Sequence, residues 1–148
     1  MLDPNRDELI EGVEVLVEND RIKEVSDRPI TAQSATRIDL SGKTLMPGLI
    51  DCHVHVVAAM VDLAANAMAP SSLAALRAAR IMKTLLMRGF TTVRDLGGAD
   101  YGLVRSLEEG LIEGPRLVIC GKALSQTGGR GDSRLRSDDG EIFSARRP

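Results

Sequence analysis

A chain of 148 residues, 43% of them hydrophobic, is sized for one ordinary domain with a packed core. Its net charge of −2 leaves no surplus of cations to neutralise phosphates, and one Tyr, two Phe and no Trp offer no base-stacking platform, so nucleic acid is excluded as a partner. The longest apolar-rich stretch, residues 54–69, is interrupted by His55, Asp62 and Asn66, which excludes a membrane span, while Cys52 and Cys120 form no Cys-x-x-Cys pair and read as reduced thiols of a cytoplasmic protein.

The chain opens Met1-Leu2-Asp3-Pro4-Asn5-Arg6-Asp7, with no basic segment leading into an apolar run, so no signal peptide is expected. Residues 1–46 read as part of a small β domain. Val13, Val15 and Val17 alternate along one strand, Asn19-Asp20 suits a two-residue turn, and residues 21–25 return as the partner. Residues 36–40 predict a further short strand before Ser41-Gly42 turns the chain.

The texture changes at Pro47. Residues 48–55 predict a buried strand, and Pro70-Ser71-Ser72 starts a helix with a serine at its N-cap. Leu73, Leu76, Ala79, Met82 and Leu86 form the apolar face of that helix, and Gly89 ends it. Residues 90–95 predict a second strand, broken by Gly97-Gly98. A second helix over 103–112 is weakened by Gly110, and residues 115–120 form a third strand. Such alternation implies parallel strands with right-handed crossovers over residues 47–125. Residues 126–148 are Gly-, Ser- and charge-rich and read as loop or disordered tail.

Both histidines of the chain fall in Pro47-Gly48-Leu49-Ile50-Asp51-Cys52-His53-Val54-His55. Strand alternation puts Asp51, His53 and His55 on one face and Cys52 and Val54 on the other. Two imidazoles so placed, near the C-terminal end of a parallel-type strand, suit a divalent metal site, and barrel and open-sheet enzymes gather their reacting groups there. Two hydrogen-bonded histidines with no ligand are the competing reading. Asp51 either orients an imidazole from behind or serves as an ion-pair partner beneath the site. Asp95, at the end of the second strand, is expected to cap or brace a loop.

Four segments in order resemble the metal-dependent amidohydrolase superfamily. Residues 45–55 look like its entry strand, and residues 17–22 like the small β domain before it. Residues 89–98 are similar to its second strand and loop, and Ser125-Gln126-Thr127-Gly128-Gly129 resembles the branch of imidazolonepropionase-like and Xaa-Pro-dipeptidase-like hydrolases. The resemblance implies an α/β fold, an incomplete (β/α)8 TIM barrel of about three strands preceded by a small β-sandwich segment. It implies one or two divalent ions, zinc by preference, with His53 and His55 as ligands, and hydrolysis of a C–N bond in a small-molecule substrate by metal-activated water.

The family's remaining ligands come from later strands, and there is no third histidine. A barrel of this type takes about 250 residues, and only about 100 follow Pro47. The expectation is therefore an N-terminal portion that carries no catalytic residue, is inactive alone, binds metal weakly, and associates through open sheet edges, homo-oligomers included. The alternative is a truncated, non-catalytic relative acting as an interaction module. Arg130 stands where that branch usually has histidine. It suits a grip on a substrate carboxylate or a solvated loop position.

Overall fold

A computed structural model of the chain describes residues 1–3, 5–127 and 129. The chain divides into two compact units, Met1–Pro47 and Gly48–Pro148.

In the first unit, β1 (Leu2–Asp3) pairs antiparallel with β2 (Glu8–Leu9), and β3 (Glu14–Glu18) pairs antiparallel with β4 (Arg21–Ser26). Asn19 takes a positive φ of 57° between paired Glu18 and Arg21, a conformation its short polar side chain tolerates. The expected strand over residues 36–40 joins no ladder among the described residues. Ile38 is 75% exposed, so alternation there buries no face. Side chains and turns use the backbone groups instead: Asp39 accepts from the Ser41 N–H at 2.9 Å, and the Lys43 N–H donates to Leu40 O at 2.9 Å.

The second unit runs β5 (Leu49–Val54), α1 (Leu63–Ala67), α2 (Ser71–Met87), β6 (Phe90–Asp95), α3 (Tyr101–Glu108) and β7 (Arg116–Ile119). The three strands form one sheet in the order β5-β6-β7, parallel throughout. Helix α2 packs on β6 and α3 on β7. Their shared core is Val56, Ala78, Met82, Val93, Ala99, Leu103 and Leu117. The opposite face of the sheet is uncovered among the described residues, with Ile50, Arg94, Arg116 and Val118 exposed. The strand expected to be buried, β5, is therefore largely open, Ile50 at 66% exposure.

Helix α2 begins where the sequence suggests but is capped differently. Pro70 holds the N-cap position, with φ −55°, and no side chain caps the first turn; Ser71 is already helical. The face turned to the sheet is also rotated. Ala78 and Met82 are buried, whereas Leu73 and Leu76 are 38% and 72% exposed. The residues of α2 that pack in or against the core are Ala78, Met82 and Leu85. At the far end Gly89 takes φ +92° and its N–H donates to Leu86 O at 2.9 Å, as expected of the residue after a C-cap. Helix α3 is shorter than expected and starts two residues earlier, because Asp100 caps it by accepting from the Leu103 N–H at 3.2 Å. Among the described residues no helix is long and apolar enough to cross a membrane.

Candidate metal centre

Strand β5 carries His53 within its length and His55 just past its end. Val54 between them packs against the core, and both imidazoles are exposed. The two rings meet edge to face, with centroids 5.4 Å apart and planes at 75°.

The β5–β6 register slips between Asp51 and Val54. Simple alternation therefore does not run unbroken from Asp51 to the histidines. The Asp51 carboxylate turns to the main chain and accepts from the His53 backbone N–H at 2.9 Å, bracing the strand under the first histidine.

His55 is held from two directions. Its Nδ1 lies 3.1 Å from Gly97 O, in the loop after β6. A carbonyl oxygen only accepts, so this bond requires the proton on Nδ1 and leaves the Nε2 lone pair free. The main chain beside the ring is fixed by Asp95. That carboxylate is fully buried and accepts three backbone N–H bonds: Val56 to Oδ2 at 2.7 Å, and Gly97 and Ala99 to Oδ1 at 2.8 and 3.2 Å. The loop-bracing role expected of Asp95 is the one observed. Gly98 takes φ +113°, and a Cβ there would collide with Val57 Cγ2, so the loops after β5 and β6 touch at a position only glycine fills.

The contacts of two further residues had no clear signal in the sequence. Asn66 binds the segment after His55 twice, accepting from the Ala59 N–H and donating to Val57 O, each at 3.1 Å. Arg94 Nε donates to Cys52 O at 3.0 Å across the uncovered sheet face. Either residue type reads from sequence alone as a solvated polar side chain.

The donor set suits a metal in part. Imidazoles are ligands for zinc and related ions, and Zn–N bonds of about 2.0–2.1 Å at a tetrahedral angle place two ring centroids about 5 Å apart. The observed 5.4 Å matches that separation. Among the described residues, however, no group of three or more His, Cys, Asp or Glu side chains could hold an ion. Arg130 lies outside the described residues.

Residues 44–147 match the sequence profile described as the Amidohydrolase family. A prolidase solved in complex with N-methylphosphonate-L-proline is 52% identical, with a TM-score of 0.86 over 97% of this chain and 35% of that one. A solved amidohydrolase is 55% identical, with a TM-score of 0.84 over 93% of this chain and 33% of its own. The ochratoxinase of Aspergillus niger is 34% identical over 105 residues, 69% of this chain and 21% of the relative. The chain thus spans about a third of these solved relatives and about a fifth of the curated one.

Proposed function

Because the chain belongs to the amidohydrolase family, we propose that it supplies the entry strand of a metal-dependent hydrolase of C–N bonds. Its substrates are amides, cyclic amides or dipeptide-like molecules, and the likeness to a prolidase favours an aminoacyl or acyl group on the nitrogen of proline. The three parallel strands are the first staves of a (β/α)8 barrel, and Met1–Pro47 is part of a small β-sandwich.

One observation carries the reading: His53 and His55 stand side by side at the C-terminal end of β5, at the separation two imidazoles take on one ion. These two residues would hold the ion, zinc by preference, with further donors coming from outside the described residues. The chemistry such an ion supplies when bound is a water acidified to a pKa of about 7 at neutral pH. The chain's own part is to aim the donors. Gly97 O engages His55 Nδ1, which leaves Nε2 as the nitrogen that would donate to the ion. The Asp51 carboxylate fixes the backbone under His53.

A chimera tests this reading. The matched third of the solved prolidase is replaced by this chain, and cleavage of Xaa-Pro dipeptides is assayed with and without chelator. Activity should disappear on chelation and return with zinc. His53→Ala or His55→Ala should each lower it at least about 100-fold, the upper end for losing even a partner behind a ligand. A chimera that cleaves equally well without either imidazole would overturn the assignment.

A further inference from the structure

We infer that Asp95 is a positioning residue for the metal centre, and that it acts by setting the tautomer and direction of His55. The inference rests on the proposed role of His55 as a ligand and goes beyond it, to the group that prepares that ligand.

Asp95 is the buried charged side chain of the core, at 0% exposure among the described residues. A carboxylate taken out of water needs strong partners to stay there. Its partners are all main-chain amides, drawn from two different loops. Val56, next to His55, donates to one oxygen at 2.7 Å. Gly97 and Ala99, which follow β6, donate to the other at 2.8 and 3.2 Å. A bond of 2.7 Å to an ionised oxygen is at the short, strong end for N–H donors.

The choice of amides matters. Gly97 gives its N–H to Asp95 and its carbonyl to His55 Nδ1. Val56 gives its N–H to the same carboxylate and is joined directly to His55. One carboxylate therefore fixes both the peptide that carries the imidazole and the carbonyl that orients it. The loop ends are locked further by Leu96 N–H to Val54 O at 3.1 Å and Gly98 N–H to Gly121 O at 2.8 Å, which ties in the segment after β7. A purely structural acid would need only to satisfy its own oxygens. This one closes a ring of contacts that runs His55, Val56, Asp95, Gly97 and back to His55.

Asp95→Asn keeps the size and removes half of the acceptor capacity. With its single oxygen toward Gly97 and Ala99, its amide faces the Val56 N–H, donor against donor. Flipped, it loses the other two. Either arrangement releases one side of the ring.

The test reads the imidazole itself. Nitrogen-15 spectra of His55 are recorded for the 148-residue chain over a pH series, and the tautomer is read on its alkaline plateau. The wild-type ring should be the Nδ1–H tautomer. Asp95→Asn should convert it to a mixture, with the amide signals of Val93 and Leu117 unchanged. In the prolidase chimera the same substitution should raise the zinc concentration for half-activation about 10–100-fold. A wild-type His55 found as Nε2–H overturns the inference even if the variant fails to fold. So does a folded Asp95→Asn chain with unchanged tautomer and zinc dependence. Failure of the hydrolase reading shows separately, as a wild-type chimera that ignores zinc while the tautomer result still stands.

Discussion

Truncating Met82 tests which face of α2 meets the sheet. Met82 is fully buried among Ala78, Val93, Leu103 and Leu117, whereas Leu76, on the face with more leucine, is 72% exposed. Met82→Ala removes three heavy atoms from a closed site. At about 0.8 kcal/mol for each methylene-sized group the transfer loss is about 2.4 kcal/mol. The cavity left behind brings the total to about 3 kcal/mol, within the 2–5 kcal/mol typical of such truncations. Leu76→Ala forfeits only a small part of one side chain's burial and should cost about 0.5 kcal/mol or less. Urea unfolding followed by circular dichroism at low protein concentration measures both. Tryptophan is absent and Tyr101 is 64% exposed, so intrinsic fluorescence reports little. With a urea slope of about 1–2 kcal/mol/M, Met82→Ala should lower the midpoint by about 2 M and Leu76→Ala by a few tenths. Equal losses, or a larger loss at Leu76, would refute the packing described for α2.

The isolated 148-residue chain should bind zinc only weakly, because catalytic zinc normally keeps three protein ligands and, among the described residues, no group of three or more His, Cys, Asp or Glu side chains could hold an ion. Calorimetry should give a micromolar or poorer Kd, abolished by His53→Ala, and nanomolar affinity would contradict the two-donor site. Asp39 is held below its ordinary pKa of 3.8 by the Ser41 hydroxyl and then by the Ser41 backbone N–H. Its folded value lies below its unfolded one, so the stability it adds is present above the unfolded pKa and is lost as pH falls through the folded pKa. Ser41→Ala should move the Asp39 titration upward in a carboxyl NMR pH series, and an unmoved curve would deny the hydroxyl its part. Leu49 and Ile50 on β5 and Val118 on β7 lie 41%, 66% and 47% exposed on strands that, among the described residues, form the edges of the sheet. Sedimentation should therefore show concentration-dependent association, and a strict monomer would mean these residues are covered.

Much of the second unit can be read directly from its residues. Phe90–Asp95 is a short β-branched run bracketed by Gly89 and Gly97, and both boundaries hold because glycine marks a change of backbone region. The Asn19-Asp20 turn is legible for a similar local reason. What escapes is whatever depends on a neighbour. Residues 36–40 alternate, yet a strand also needs a ladder. Leu73 and Leu76 of α2 advertise one face while Ala78, Met82 and Leu85 take the contact, because the contact depends on what the sheet presents. In the candidate site, the nearness of His53 and His55 follows from their spacing. The part played by Asp51 depends on a register slip between Asp51 and Val54 that no composition signals. Gly97 O and the Val56 amide are main-chain groups, and main-chain groups carry no letter of their own.

Spatial order equals chain order in the sheet: β5, then β6, then β7, each laid against the one made just before it. Among the described residues β6 and β7 each pair with the strand made just before them, so each of these two pairings closes only the loop between chain neighbours. Each strand after β5 therefore has its neighbour in the sheet ahead of it in the chain. The order of pairing thus runs outward from the strand that leads into the two histidines.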